Sequence, residues 1–129
     1  ARSRFEVFAM EQKIIQEPEL DGVDKDCYQV FYMDNGRVIA YCRIVPAGIA
    51  YDNISLGRVL VLNDYRRKGL AQIMIKEALK FIKEELKEDT VVLSGQVYAK
   101  GLYESVGFKA ISDVYDEVHI PHVKMKIEL

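Results

Sequence analysis

Leu56-Gly-Arg-Val-Leu-Val-Leu-Asn-Asp-Tyr-Arg-Arg-Lys-Gly-Leu-Ala-Gln-Ile-Met-Ile75 decides how this chain is read. Its first half is apolar and β-branched, the composition of a buried strand. Its middle is a basic turn holding Gly69. Its second half repeats apolar residues at helical spacing, with Leu70, Ile73, Met74, Ala78, Phe81 and Ile82 on one face and Gln72, Lys76, Lys80, Lys83 and Glu84 on the other. A strand that runs through such a turn into a helix aims free backbone N–H groups and the positive end of the helix dipole at one point. That is a seat for a phosphate or pyrophosphate. Small residues at Gly69 and Ala71 let a diphosphate approach the backbone, and Arg66, Arg67 and Lys68 add positive charge. As a pattern alone, the same residues also read as an ordinary strand–turn–helix with three solvated cations. The turn is not a Walker loop, because Gly-x-x-x-x-Gly-Lys-Ser/Thr is absent, and it lacks the first glycine of a dinucleotide fingerprint.

Outward from this stretch, the chain is organised as one α/β domain. Residues 2 to about 12 have Phe5, Phe8 and Ala9 at helix spacing, and residues 13–26 read as an acidic loop. Cys27 to Met33 and Arg37 to Val45 read as two strands joined at Asn35-Gly36, a strong hairpin signal. Ile54 to Leu62 is the next strand and Gly69 to about Lys87 the long helix. Thr90 to Ser94 is a short buried strand, Tyr98 to Ser105 a short helix, and strands follow over 107–111 and 121–128. Strand–helix–strand with a long helix implies a parallel pair, and the hairpins imply antiparallel neighbours. The expected architecture is a mixed sheet with helices on both faces.

Composition narrows the function. At 129 residues the chain suits a single domain with a sizeable core. A formal net charge of −2 leaves no general basic character for nucleic acid, and no apolar run reaches the length of a membrane span. The expectation is a cytoplasmic protein without a signal peptide. Cys27 and Cys42, at unrelated spacing in strands, read as small buried hydrophobes. A metal site is not expected: two histidines and two dispersed cysteines offer no ligand spacing. Asp21, Asp24 and Asp26 suggest a calcium loop only until its twelfth position, which is Tyr32 instead of a glutamate.

The turn Arg66-x-x-Gly69-x-Ala71 resembles the acyl-CoA-binding turn of the GNAT family of N-acetyltransferases, Arg/Gln-x-x-Gly-x-Gly/Ala. A second stretch, Leu93-Ser-Gly-Gln-Val-Tyr-Ala-Lys-Gly-Leu-Tyr-Glu-Ser-Val-Gly-Phe108, resembles the later half of the same family, where a strand and short helix end in Tyr-x-x-x-Gly-Phe. The two lie in the expected order. The chain is also similar to a narrower branch, the ElaA-type acetyltransferases. The matching pieces are Phe5-Glu-Val-Phe-Ala-Met-Glu-Gln12, Asp21-Gly-x-Asp24, Gly57-Arg-Val59 and Val114-Tyr-Asp-Glu-x-x-Ile-Pro-His122. That branch begins with a further strand, so the resemblance implies a GNAT domain over 1–129 that lacks its first strand and starts within the first helix.

The resemblance implies an acetyl-CoA-dependent N-acetyltransferase that moves the acetyl group directly to a primary amine in a ternary complex. It implies a slot between two splayed parallel strands. The backbone of 59–62, including Leu60, Val61 and Leu62, would pair with the pantetheine arm. The N–H groups of Arg67, Lys68, Gly69, Leu70 and Ala71 would hold the pyrophosphate beside Arg66. Tyr103 takes the family's place for the acid that protonates the leaving thiolate; by itself it also reads as a core tyrosine. His122 would sit on the acceptor side and accept the amine's proton, or else serve as a hydrogen-bonded structural histidine. Glu11 and Gln12, at the end of the first helix, stand where the family places acceptor-side residues, or face water. The partners implied are acetyl-CoA and an amine, with no nucleic acid and no membrane; a homodimer stays open. Two rival readings are a non-catalytic acyl-CoA sensor on the same fold and an unrelated nucleotide-binding α/β protein.

Overall fold

The computed structural model describes residues 11–16, 27–62 and 69–129 and, of the first segment's side chains, Ile14. The elements are β1 (Glu11–Gln16), β2 (Tyr28–Asp34), β3 (Arg37–Val45), β4 (Ile54–Val61), α1 (Leu70–Glu84) and β5 (Thr90–Gln96). A 3₁₀ turn (Val97–Ala99), α2 (Lys100–Ser105), β6 (Lys109–Ala110), β7 (Tyr115–Glu117) and β8 (Ile120–Glu128) complete them. They build one sheet in the order β1-β2-β3-β4-β5-β8-β6, with β7 also on β8. Every pairing is antiparallel except β4 with β5. This is the expected mixed α/β sheet. No described helix is long and apolar enough to cross a membrane.

Register explains the core. Val30 faces Cys42, Ile44 faces Leu56, Ile54 faces Val91 and Leu93 faces Met125, so these residues share one face of the sheet. All are buried, and α1 lays Leu70, Met74, Ile75, Ala78, Leu79 and Ile82 over them. The helical spacing fixed that face by a 3.6 period, and Ile75 and Leu79 extend it beyond the residues read from the sequence. At Asn35-Gly36 both φ angles are positive, 54° and 77°, as the hairpin signal requires. Cys27 and Cys42 are buried and not joined in a disulfide.

One expectation fails at the N-terminal side. Glu11 and Gln12 do not end a helix, and residues 13–16 are not loop. Glu11–Gln16 forms the antiparallel edge strand β1, registered from Glu11 opposite Met33 to Gln16 opposite Tyr28. Six paired residues and two adjacent β-branched isoleucines outweigh helical spacing carried over from Phe5 and Phe8. The rest of the expected first helix, and Asp21, Asp24 and Asp26, lie outside the described residues. Both described helices pack on the core face, because Gly95, which shares a face with Leu93, sits directly beneath the Tyr103 ring of α2. A second difference is β7. No turn signal marks it, since Val118 and His119 close the β7–β8 hairpin with φ of 53° and 63°, a conformation that favours Asn-Gly.

Burial has a consequence for alkaline stability. It pushes Tyr32 and Tyr103 from 10.0 to about 12, and the Cys42 thiol from 9.0 to about 12. Folded values above the unfolded ones mean that the unfolded chain loses these protons first as pH rises. Their contribution is complete below about pH 9 and is lost on the way to pH 12. Tyr103 alone is worth on the order of 2 kcal/mol. Urea unfolding midpoints should be level from pH 7 to 9 and fall steeply above pH 10; a flat profile to pH 11 would show these groups to be solvated.

Candidate functional site

β4 and β5 pair at only two positions, Ile54 with Val91 and Ser55 with Val92. β5 then follows β8 to its end, seven residues in register, and leaves β4 behind. A β-bulge helps β4 to diverge: between the Leu60–Tyr41 and Gly57–Arg43 pairs, Arg58 and Val59 stand against Cys42 alone, and Arg58 has φ 54°. The gap becomes a cavity of about 600 Å³, within the usual range for small-molecule sites. Val59, Leu60 and Val61 line one wall, Gln96, Tyr98, Ala99 and α2 the other, and Gly69 to Gln72 the far end. Leu60 is 62% exposed, an apolar side chain left open within the gap.

The far end is the start of α1. Gly69 is its N-cap, in the left-handed region at φ 75°, and no described side chain caps the helix. The first bond within the helix runs from the Ile73 N–H to the Gly69 carbonyl, 3.0 Å. The N–H groups of Leu70, Ala71 and Gln72 therefore have no acceptor inside the helix. Gly69, Leu70 and Ala71, singled out from the sequence, line the cavity together with Leu60 and Val61. Leu62 stands beside them with its N–H bonded to the Ile39 carbonyl at 2.9 Å. Arg66, Arg67 and Lys68 lie outside the described residues.

Tyr103 lines the same cavity and is 8% exposed. The Gly-Phe pair that follows holds it. Gly107 N–H bonds the Glu104 carbonyl and Phe108 N–H the Tyr103 carbonyl, both at 3.0 Å, which is a Schellman ending with Gly107 at φ 111°. The apolar contact that goes with that ending is Phe108 edge-on to Tyr103, ring centres 6.0 Å apart. On the other side a Cβ at position 95 would stand 2.9 Å from Tyr103 Cε2, so only glycine there leaves room for the ring. Burial, then Cys42 and Tyr98, raise the Tyr103 hydroxyl to about 12. It keeps its proton at neutral pH and serves as a donor. Gly95 escaped the sequence reading; its signal is a small residue in an otherwise apolar strand.

His122 is not in the cavity wall. Its side chain lies on the sheet face opposite the core, buried, and it is the register partner of Gln96, which does line the cavity. Nδ1 is 2.8 Å from the Ile120 carbonyl and Nε2 is 3.7 Å from Glu117 Oε2. Tyr115 stacks on the ring at 6.3 Å. Ser94 Oγ is hydrogen-bonded to the Tyr115 hydroxyl and lies 3.3 Å from Glu117 Oε1. Ser94, Tyr115 and Glu117 were not predicted as site residues; Tyr115 and Glu117 fall in the shared Val114–His122 segment, which is the only trace they leave in the sequence. Glu11 and Gln12 belong to the edge strand β1, with β2 and β3 between them and β4; their side chains lie outside the described ones. Among the described residues no three His, Cys, Asp or Glu side chains gather to hold a metal.

With this geometry in hand, known proteins can be compared. A family model described as an acetyltransferase (GNAT) domain matches residues 4–129. A UPF0039 protein of Schizosaccharomyces pombe is 41% identical over 128 residues, which is 98% of this chain and 83% of that protein. Protein ElaA of Escherichia coli is 28% identical over 127 residues, again 98% and 83%. The crystal structure of Escherichia coli ElaA superposes with a TM-score of 0.75 at 26% identity, covering 88% of this chain and 78% of that one.

Proposed function

Since the chain belongs to the GNAT acetyltransferase family, in its ElaA-type branch, we propose that it transfers an acetyl group from acetyl-CoA directly to a primary amine, both bound at once. The observation that carries this is the gap left where β5 departs from β4. It holds helix N–H groups with no acceptor inside the helix at one end and a buried, protonated tyrosine in its wall. The first suits a diphosphate and the second a departing thiolate.

In this reading the N–H groups at Leu70 to Gln72 take the diphosphate, and the α1 dipole adds to them. The pantetheine arm lies along β4 beyond Ser55, where β5 no longer pairs. A backbone N–H of the 59–62 segment holds the thioester oxygen as negative charge develops on it. The amine nitrogen forms the new C–N bond, the C–S bond breaks, and the amine gives up one proton. His122 receives that proton from the face opposite the core, through Glu117 or a water. The Tyr103 hydroxyl donates to the sulfur, then regains a proton from solvent, so the thiol leaves neutral. Cys42, 0% exposed and with its thiol raised to about 12, is no nucleophile, so no acyl-enzyme is required.

Thermal unfolding with CoA or ATP, followed by turnover with acetyl-CoA and primary amines, tests the proposal. CoA at about a hundred times its Kd should stabilise by about 2.7 kcal/mol, ATP should do nothing, and free thiol should appear only when amine is added. Protection by ATP alone would support a nucleotide binder; CoA protection without turnover on any amine would support a sensor.

A further inference from the structure

The sheet face opposite α1 carries a polar group that the transfer chemistry above leaves largely unused. Ser94 is the first residue on that face of β5 beyond Val92, the last residue paired with β4. It therefore stands where the two strands part. A donor with its diphosphate at the start of α1 and its arm along β4 points its acyl end back toward that parting. Ser94, Tyr115, Glu117 and His122 thus gather on the β5–β8 side of that parting, on the face opposite the core, from which an acceptor would approach the acyl group.

Among the described residues, one pair of atoms there, His122 Nε2 and Glu117 Oε2, has no donor between them. The Ile120 carbonyl can only accept, so His122 Nδ1 donates to it over 2.8 Å. In the neutral ring this leaves Nε2 as a lone pair. It faces Glu117 Oε2, also an acceptor, at 3.7 Å, too long for a direct hydrogen bond. Two acceptors are held facing each other across a gap that a donor with several N–H groups would fill. Tyr115 and Ser94 extend the line, with the Ser94 hydroxyl 3.3 Å from Glu117 Oε1. Glu117 is half exposed, so the gap opens to solvent. The cation nearby, Lys124, is directed over the Tyr51 ring at 4.7 Å.

We propose that Glu117, with His122 and Ser94, is the recognition site for the acceptor's protonated nitrogen, and that the acceptor is a primary aliphatic amine with no carboxylate beside that nitrogen. The inference rests on the acetyltransferase reading. An ammonium group donates to Oε2 and Nε2 together. It first passes one proton to Nε2, giving an imidazolium between the Ile120 carbonyl and the Glu117 carboxylate that releases this proton to solvent. The neutral amine then attacks, and the second proton, lost as the C–N bond forms, goes to the same nitrogen. An α-carboxylate would lie against Glu117 and be repelled.

The test uses amines paired with their parent amino acids: phenethylamine with phenylalanine, and agmatine with arginine. Saturating acetyl-CoA is used, and kcat/KM is measured for each. The wild-type protein should favour the amine of each pair by about tenfold or more. Glu117→Gln, close in shape and on an exposed side chain, should reduce kcat/KM for the amines by about tenfold, mainly through KM, and bring each pair within about threefold. Its CoA affinity by calorimetry should equal that of wild type. Glu117→Asp should keep the preference for the amine. An unchanged preference in Glu117→Gln, equal use of both members by wild type, loss of CoA binding in the variant, or no acetylation of any probe by a wild-type protein that binds CoA would each overturn the proposal. A wild-type protein that fails to bind CoA would bring down the acetyltransferase reading beneath it.

Discussion

Gly69→Asp is expected to abolish CoA binding, by at least about a hundredfold in Kd, in a protein that still folds. Three facts set that expectation. The N-cap has φ 75° and ψ 7°, and aspartate is among the residues that accept this left-handed conformation at modest cost. A Cβ at position 69 meets no described atom within 4 Å, so no packing among the described residues is disturbed. The new carboxylate is then tethered beside the same N–H groups that would receive the diphosphate, and an internal anion both occupies those donors and repels a second anion. Gly69→Ala separates the two effects. It carries the conformational cost without the charge and should weaken CoA by only a few fold. Calorimetry with CoA, alongside thermal unfolding of each variant, is the measurement. Unchanged CoA affinity in a folded Gly69→Asp protein would move the anion site elsewhere.

The residues behind that expectation were legible because strand, turn and helix leave local marks. A β-branched run, a glycine and a 3.6 period are each written within a few residues, and 54–61 and 70–84 folded accordingly. The Tyr103–Phe108 segment was legible for the same reason, since a helix ending needs its glycine at one position. Glu11 to Gln16 was misread because its strand character comes from pairing with 28–33, a contact that no local window contains. β7 was missed for a related reason: three residues are too short for a period, and Val118-His119 is not a turn sequence. The polar group opposite the core depends on the second of these failures, β7. Ser94 meets Tyr115 and Glu117 only after β5, β7 and β8 have aligned, and nothing in the spacing of 94, 115, 117 and 122 foretells it. Residues proposed for the donor, on β4 and the start of α1, could be read from sequence; those proposed for the acceptor, assembled across strands, required the fold.

Tyr103→Phe is expected to lower kcat by roughly a hundredfold with acetyl-CoA binding almost unchanged. The substitution removes the hydroxyl alone. The ring remains edge-on to Phe108 and remains above Gly95, so the packing that positions it is intact. Burial holds the hydroxyl's proton up to about pH 12, so wild type should show no alkaline limb from this group below about pH 11. The same value sets the character of the step. A tyrosine at about 12 is a weaker acid than a thiol in water at about 8.5, so early proton transfer would be uphill. In the slot, burial disfavours the thiolate as it disfavours the tyrosinate, which narrows that difference. In the proposed mechanism the hydroxyl would therefore donate a hydrogen bond as the C–S bond lengthens, and the proton would follow late. An interaction that strengthens only as the bond breaks appears in kcat and not in the affinity of the intact thioester. The variant should accordingly keep its acetyl-CoA Kd while kcat and kcat/KM for the amine fall together. Wild-type kcat in Tyr103→Phe would reduce Tyr103 to a packing residue, and a parallel loss of acetyl-CoA affinity would make its hydroxyl a binding group instead of an acid.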